Sequence, residues 1–280
     1  MNGLEAILLG IVQGLTEFLP ISSSGHLILV PWLGDIRYLE EHPEFNKTFD
    51  VSLHLGTLIA VVGYFRAEVR TMFEGTAGLI RRRAAQTDAE RLALAMLIGT
   101  IPAVLVGGFG EDVLERHLGE PWQIAILLAA FGLLLAYADR RPQRAGIESI
   151  TPRRALIIGA AQAASLAPGV SRSGVTMTAG RFLGLDRDAA ARFSFFLLIP
   201  VTAGAIAKKG ADMAVEGIPP GQTVPIILGI VAAAISGYAA IGGLLKLVRT
   251  RSYDGFVVYR LIAAAVVLLL IATGVRSATF

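Results

Sequence analysis

Long runs without a charged residue constrain the fold of this chain more than any other feature of its sequence. Asp, Glu, Lys and Arg are all absent from residues 51–65, 92–110, 121–138, 155–171, 193–207, 217–245 and 261–275. A helix needs about 20 mainly apolar residues to cross the hydrocarbon core of a bilayer, which is about 30 Å thick. Lipid offers no hydrogen-bond partner to an open backbone, so we expect the crossings to be helical.

The composition excludes several other classes of protein. Charged residues make up 17% of the 280 residues and hydrophobic residues 54%, whereas soluble domains contain about 25% charged residues. A chain this apolar is not intrinsically disordered. The absence of cysteine excludes a disulfide-stapled fold and a thiolate metal site. The net charge of +3 does not indicate a nucleic-acid partner, because most basic residues lie in the loops between the apolar runs.

The apolar runs, with their flanks, predict transmembrane helices at residues 49–66, 92–110, 121–138, 190–208, 224–246 and 255–275. Two further apolar stretches, 3–33 and 153–184, are interrupted in the middle by proline, glycine, serine and charged residues. Pro and Gly break helices, and serine hydroxyls compete for backbone hydrogen bonds. Non-helical backbone at membrane depth is tolerated only inside protein or beside a wet cavity. We therefore interpret each stretch as a re-entrant hairpin of two short helices joined at a polar break.

The lysines and arginines indicate the orientation of the chain. If both hairpins return to the side from which they enter, 17 of the 25 Lys and Arg residues fall on one side, in loops 66–91, 139–154, 181–192 and 246–254. The positive-inside rule places that side in the cytoplasm and both termini outside. The outer side then holds Arg37, Lys47, Arg116, Lys208, Lys209 and Arg276. Arg172 lies within a break, and we place Arg260 at the inner end of the last crossing.

An internal repeat relates the two hairpins. Residues 7–28 resemble residues 156–177 at an offset of 149, with identical pairs Gly10 and Gly159, Gln13 and Gln162, Ser22 and Ser171, Ser24 and Ser173, and Gly25 and Gly174. Because the first hairpin enters from outside and the second from inside, the repeat is inverted and the breaks meet near the midplane. The predicted fold is all-α: one integral-membrane domain over 1–280, with about six transmembrane helices and two re-entrant hairpins in inverted halves 1–138 and 150–275. A chance match between segments rich in small residues is the alternative.

The first break carries a carboxylate, an imidazole and a serine cluster. Gln13 and Glu17 are four residues apart and share a helix face, and residues 22–26 follow where the next short helix begins. A helix N-terminus favours an anion. A carboxylate inside a membrane is costly and is by default a functional hypothesis. The alternative is that Glu17 and His26 pair to lock the hairpin. His54, inside the first crossing, is interpreted as a packing or lining residue.

The second break reads as a phosphate cradle. Arg172 supplies a planar fork of donors that suits phosphate oxygens. Small and hydroxyl-bearing residues surround it and allow close approach of the backbone: Gly169, Ser171, Ser173, Gly174 and Thr176. The alternative is a salt bridge between Arg172 and Glu17 that holds the hairpins together. The two roles are compatible, because such a pair can hold the empty site and open when phosphate arrives.

The two motifs resemble those of the undecaprenyl pyrophosphate phosphatase family, the integral-membrane type linked to bacitracin resistance. The first motif is present as Gln13-Gly-Leu-Thr-Glu17 followed by Ser22-Ser-Ser-Gly-His26, and the second as Pro168-Gly-Val-Ser-Arg-Ser-Gly-Val-Thr176. The resemblance implies hydrolysis of the C55 isoprenoid diphosphate to its monophosphate, which recycles the lipid carrier for cell-wall synthesis. It also implies a bacterial inner membrane location, a site open to the outer face and a divalent cation. Many members have Glu where this chain has Gln13.

The resemblance leads to a mechanism with one step left open. Arg172, the hydroxyls of Ser171 and Ser173 and local N–H groups hold phosphate oxygens. A Mg²⁺ or Ca²⁺ ion on Glu17 and Gln13 spreads the charge. Ser23 is the candidate nucleophile and His26 the candidate general base and acid; in the rival step, His26 or a metal-activated water attacks phosphorus. The remaining polar and small residues of the breaks complete the expected substrate site: Ser22, Ser24, Gly169, Gly174 and Thr176.

A transporter or flippase of a polyprenyl phosphate lipid is the competing function. Inverted repeats with broken helices are a transporter architecture, but the set of reactive side chains exceeds what binding alone requires. The expected partners are a polyprenyl diphosphate lipid and the bilayer, and we expect no nucleic-acid partner. The sequence leaves the oligomeric state open, a homodimer included.

Overall fold

The computed structural model describes residues 1–143 and 145–279, and all their side chains except those of Arg37, Glu40, Lys209 and residues 109–117 and 211–216. The described chain is all-α, as predicted, and has no strand. Its helices are α1 (Gly3–Phe18), α2 (Ser23–Gly34), α3 (Arg37–Glu41), α4 (Pro43–Tyr64), α5 (Arg66–Arg82), α6 (Asp88–His117), α7 (Pro121–Asp139), α8 (Pro152–Ala163), α9 (Arg172–Phe182), α10 (Arg187–Glu216), α11 (Thr223–Val248) and α12 (Asp254–Ala272).

Within the described residues, five helical segments are long and apolar enough to span a membrane: Asp88–Gly108, Pro121–Asp139, Arg187–Lys208, Thr223–Val248 and Asp254–Ala272. They coincide with five of the six predicted crossings. The sixth, predicted at 49–66, differs: α4 qualifies only jointly with α5, and the two helices are bent by 89°. The reason lies in the sequence, because α4 begins with Glu44, Lys47 and Asp50, which lower its apolar content.

Each of the two interrupted stretches forms a pair of short helices, α1 with α2 and α8 with α9. The second helix of each pair begins with the same local geometry. Ser22 and Ser171 precede α2 and α9 with φ of 77° and 74°, a left-handed conformation that is uncommon for serine. Their hydroxyls accept from the N–H of Gly25 at 3.3 Å and of Gly174 at 3.0 Å, which caps each helix. These shared features agree with an internal repeat, whereas its inversion, its re-entrant hairpins and its division into halves stay predictions.

Close helix packing holds each hairpin in the bundle. A Cβ at Gly10 on α1 would lie 2.4 Å from the carbonyl oxygen of Gly229 on α11, and one at Gly159 on α8 would lie 2.1 Å from that of Gly99 on α6. Small residues of this kind let transmembrane helices approach closely. The hairpins are therefore packed against spanning helices from the opposite half of the sequence.

A buried ion-pair network joins four segments at the end of the bundle predicted to be cytoplasmic. The Asp139 carboxylate, at the end of α7, accepts from Arg181 Nε at 3.1 Å and from Arg187 Nε at 2.7 Å. It also accepts from the backbone N–H of Tyr253 at 3.0 Å. The network fixes the starts of α10 and α12 against the ends of α7 and α9.

The burial of one basic residue is not indicated by the sequence. Arg260, predicted at the inner end of the last crossing, lies in the second turn of α12 but is 0% exposed, and hydrogen bonds to main-chain carbonyls replace the water that it would otherwise need. Of the arginines and lysines assigned to the outer side, the side chains of Arg37, Arg116 and Lys209 lie outside the described residues, and so does Arg144 of the inner loops.

Candidate active site

Glu17 lies at the centre of the polar site. It belongs to the last turn of α1, next to the first break, and is 6% exposed. Its Oε2 accepts from Ser23 Oγ at 2.6 Å and from Gln13 Nε2 at 3.1 Å. Its Oε1 accepts from Arg172 Nη2 at 3.3 Å. One carboxylate therefore contacts an amide, a hydroxyl and a guanidinium.

Arg172 joins the two hairpins. It is the first residue of α9, and its Nη2 also lies 3.4 Å from the carbonyl oxygen of Glu17. Its Nη1 donates to the carbonyl oxygen of Ser194 on α10 at 2.7 Å, and its Nε is buried with no partner among the described residues. The salt bridge between Arg172 and Glu17, which the sequence left as the alternative to phosphate binding, is present, and it leaves the Nε donor unused.

The two breaks touch each other, as the sequence analysis expects. The N–H of Gly169 donates to Ser22 Oγ at 3.1 Å, and Ser173 Oγ donates to the carbonyl oxygen of Leu19 at 2.9 Å. The N-termini of α2 and α9 therefore converge beside Glu17. Unpaired N–H groups and the helix dipole make each such terminus favourable for an anion.

The other hydroxyls predicted to bind substrate mostly build the scaffold. Ser22, Ser171, Ser173 and Thr176 are all buried. Thr176 Oγ1 lies 2.7 Å from both the Arg172 carbonyl oxygen and Ser194 Oγ, and the Ser171 and Ser173 hydroxyls are 3.1 Å apart.

Among the serines and glycines of residues 22–25 and 169–174, only Ser24 is exposed. Its hydroxyl lies 3.5 Å from Ser22 Oγ. Gly169 has a φ of +99°, and a Cβ there would lie 2.8 Å from the carbonyl oxygen of Ile124. Gly174 donates to the capping hydroxyl of Ser171. Gly169 and Gly174 therefore serve the close packing of the break.

His26 does not pair with Ser23 or with Glu17. Its Nδ1 lies 2.7 Å from the carbonyl oxygen of Ser22, and its Nε2 lies 2.7 Å from the hydroxyl of Tyr259 on α12. Both ring nitrogens are therefore engaged elsewhere. The hydroxyl of Ser23 donates to Glu17 Oε2 instead.

His54 lies closer to the reactive groups than its sequence context indicates. Its Nε2 is 3.7 Å from Glu17 Oε2, and its Nδ1 is 2.8 Å from the carbonyl oxygen of Asp50, one turn earlier in α4. The side chain is 34% exposed. No signal near His54 in the sequence indicates this contact, because it arises from the packing of α4 against α1. Ser194 and Tyr259 reach the site in the same indirect way.

The predicted ligands of a divalent cation are Glu17 and Gln13. Gln13 is fully buried, and its Oε1 has no hydrogen-bond partner among the described residues. The described chain has no group of three or more His, Cys, Asp or Glu side chains that can hold a metal ion. Mg²⁺ is commonly held by one or two carboxylates together with substrate phosphates and water rather than by a cage of protein ligands. Glu17 is a carboxylate of this kind and Gln13 Oε1 is a neutral oxygen, so a cation shared with substrate stays a prediction.

Comparison with known proteins gives a consistent result along nearly the whole chain. Residues 6–266 match the family described as bacitracin resistance protein BacA. The undecaprenyl-diphosphatase of Geobacter sulfurreducens is 47% identical over 271 residues, covering 96% of this chain and 98% of that protein. The proteins of the same name from Pelobacter propionicus and Thermomicrobium roseum are 44% and 45% identical, and the alignments cover at least 98% of each chain.

Proposed function

This chain belongs to the bacitracin resistance protein family of undecaprenyl-diphosphatases, and we propose that it dephosphorylates undecaprenyl diphosphate where α1, α2 and α9 meet around Glu17. The activity supplies the lipid carrier of cell-wall synthesis, and the family is named for the resistance to bacitracin. The observation that carries the location of the site is the position of Glu17. It is bonded at once to a hydroxyl that can attack phosphorus and to a guanidinium that can bind phosphate.

Arg172 and the two helix N-termini hold the diphosphate in this proposal. The contact between Arg172 and Glu17 is 3.3 Å long, and Arg172 Nε has no hydrogen-bond partner in the part of the chain that the structure describes. The guanidinium therefore has a free donor for a phosphate oxygen and can exchange its weak contact with Glu17 for further ones. Phosphoryl transfer depends mainly on such positioning and on charge stabilisation. The prenyl tail remains in lipid beside the helices.

Ser23 is the nucleophile of the first step. Its Oγ forms a bond to the terminal phosphorus while the bond from that phosphorus to the bridging oxygen breaks. The Ser23 proton passes to Glu17 Oε2, to which it is already hydrogen-bonded at 2.6 Å, and then to the departing undecaprenyl phosphate. A hydroxyl with an adjacent base is the usual arrangement of an activated nucleophile.

Water completes the reaction in a second step. It attacks the phosphoserine, Glu17 takes one proton from the water, and the Oγ–P bond breaks. Glu17 returns that proton to Ser23 Oγ, and inorganic phosphate leaves. The sum of the two steps is undecaprenyl diphosphate plus water giving undecaprenyl phosphate and phosphate, with the enzyme restored.

Glu17 and Gln13 Oε1 are the groups that would hold a Mg²⁺ or Ca²⁺ ion, which neutralises charge on the diphosphate when bound. Gln13 also donates to Glu17 through its Nε2 at 3.1 Å. That hydrogen bond orients the carboxylate toward Ser23. The amide thus has two functions, one through each of its polar atoms.

The orientation of the protein completes the proposal. The chain is a multi-pass membrane protein, and the 17 Lys and Arg residues in the loops of one side indicate that this side faces the cytoplasm. We place the protein in the bacterial inner membrane with the site open toward the periplasmic or extracellular side. Transport of a polyprenyl phosphate is the competing function, and the hydrogen bond between Ser23 and Glu17 favours chemistry over transport.

Trapping of a phosphoenzyme tests the location of the site. Purified protein in detergent is given undecaprenyl diphosphate labelled with ³²P in its terminal phosphate, then quenched in acid. We expect label on the peptide that contains Ser23, loss of that label in Ser23→Ala, and loss of phosphate release on addition of a chelator. Label that persists in Ser23→Ala would exclude Ser23, and folded protein that releases no phosphate would favour transport.

A further inference from the structure

Arg260 is a fully buried charge that takes no part in the proposed reaction steps. It lies in the second turn of α12 and is 0% exposed. A charged side chain in the interior of a membrane protein is costly and marks a function or a tightly satisfied structural role. Its surroundings show what compensates the charge.

Main-chain carbonyl oxygens surround the guanidinium. Its Nε donates to Leu128 at 2.8 Å, its Nη1 to Pro20 at 3.1 Å, and its Nη2 lies within hydrogen-bond distance of Leu127, Gly169 and Val170 at 3.3, 2.9 and 3.2 Å. Leu127 and Leu128 belong to α7. The other three oxygens belong to the two breaks, so one side chain joins both breaks to the pair of helices behind them.

These carbonyls immediately precede the helices that carry the reactive groups. Pro20 lies two residues before the cap of α2, and Val170 is adjacent to Ser171, the cap of α9. A trans peptide is planar, with its C=O and N–H pointing in opposite directions. Holding the Val170 carbonyl therefore also fixes the direction of the Ser171 N–H at the start of α9.

The neighbouring glycines leave space for this side chain. A Cβ at Gly174 on α9 would lie 3.0 Å from Arg260 Nη1, and one at Gly132 on α7 would lie 3.4 Å from Arg260 Nε. The first distance is shorter than ordinary contact. Gly174 is thus required not only for the cap of α9 but also for the guanidinium behind it.

We propose that Arg260 is a positioning residue of the phosphatase reaction, which clamps the two breaks together and so holds Ser23 and Arg172 at Glu17. The inference rests on the proposed active site. Lysine cannot replace the clamp, because its donors radiate from a single nitrogen, whereas the guanidinium presents donors at three separated atoms. A small displacement of reacting groups has a large effect on rate.

Arg260→Lys tests the inference through kinetics with undecaprenyl diphosphate in detergent. We expect kcat to fall by about 10- to 100-fold. KM should stay within about threefold, because Arg260 is enclosed and the lipid-facing surfaces that bind the tail are unchanged. A kcat within about threefold of the wild type, in folded protein, would overturn the proposal.

Arg181→Lys is the matched control. Arg181 is also 0% exposed and bonded to main-chain carbonyls, of Leu185, Asp139 and Arg141, but it lies in the network at the other end of α9. We expect this variant to lower the thermal unfolding midpoint while the kcat of the folded protein stays within about threefold. If both variants lose kcat in proportion to stability, Arg260 is only a structural residue.

The double variant of Arg260→Lys with Arg172→Gln distinguishes a failure of the positioning role of Arg260 from a failure of the proposed active site. If Arg260 acts through the position of Arg172, Arg260→Lys costs less in the Arg172→Gln background than in the wild type; equal losses overturn the clamp. Unchanged kcat in Arg172→Gln would contradict the proposed site itself. If Arg260→Lys does not fold, Arg260→Gln is measured in the same way, and retained kcat there also overturns the proposal.

Discussion

Glu17 gathers partners from segments that are far apart in the sequence. Ser23 is six residues away and Arg172 is 155 residues away, yet both contact the same carboxylate. The contact with Ser23 depends on the first break alone. The contact with Arg172 depends on the meeting of both hairpins. The contacts of Glu17 with Ser23 and Arg172 therefore depend on the backbone geometry of both breaks.

Replacement of Ser23 tests its role as the attacking group. We expect Ser23→Ala to lower kcat by at least about 10³-fold, because no other hydroxyl of the described chain is bonded to Glu17. Phosphate release from undecaprenyl diphosphate measures the effect. Ser52→Ala is the control, since Ser52 is also a helical serine, but it is buried and among the described residues its hydroxyl bonds only to the carbonyl oxygen of Thr48. Activity retained in Ser23→Ala would assign the attack to water or His26.

Gln13, where many family members have Glu, provides a test of the cation site. Gln13→Glu adds a carboxylate next to Glu17, so we expect the cation concentration for half-maximal activity to fall by at least about tenfold, or about 1.4 kcal/mol. Titration of Mg²⁺ and Ca²⁺ into chelator-treated enzyme measures it. Gln86→Glu, at an exposed loop position, controls for the added charge. An unchanged titration would show that Gln13 does not contact the cation.

At the scale of elements, close packing of the hairpins onto spanning helices sets the position of the breaks. The contact of α1 with α11 at Gly10 and of α8 with α6 at Gly159 leaves no room for a side chain. Each break follows its contact by less than three turns of helix. A change in the helix packing at Gly10 or at Gly159 would therefore move Glu17 or Arg172 relative to the other.

Gly10→Ala is expected to destabilise the fold by about 1–3 kcal/mol, because the new methyl group meets the backbone oxygen of Gly229 at 2.4 Å. Gly63→Ala is the control, since Gly63 lies in exposed helix of α4 with no atom within 4 Å of the added Cβ. Thermal unfolding in detergent compares the two. Gly63→Ala should be neutral or slightly stabilising. Equal midpoints for both variants would contradict the role of close packing at Gly10.

At the scale of the whole molecule, the orientation in the membrane follows from the distribution of basic residues. The cysteine-free sequence permits single-cysteine labelling without a prior background change. We expect a membrane-impermeant maleimide to label Glu41→Cys in intact cells, and to label Arg81→Cys only after permeabilisation. Both positions are exposed. Labelling of Arg81→Cys alone in intact cells would reverse the orientation, and with it the side on which the site opens.

The sequence alone predicts five membrane helices, the two breaks and the family resemblance, because each of them depends on a local sequence pattern. Charge-free runs mark the spanning helices, and the clusters at Ser22 and Ser171 mark the breaks. The sequence left two roles open for Arg172, phosphate binding and a salt bridge with Glu17, and the structure contains the salt bridge. Three of the other predicted site residues, Gln13, Ser23 and Arg172, contact Glu17.

The partners within the site were decided by tertiary structure alone. The sequence places His26 near Ser23, but Tyr259, 233 residues away, takes one ring nitrogen, and the hydroxyl of Ser23 turns to Glu17. No sequence pattern indicates that Arg260 bonds to Pro20, 240 residues away. Hydrophobic runs are local and determine which segments are helices. A hydrogen bond instead requires two atoms within about 3 Å, and only the packing of the helices brings such distant atoms together.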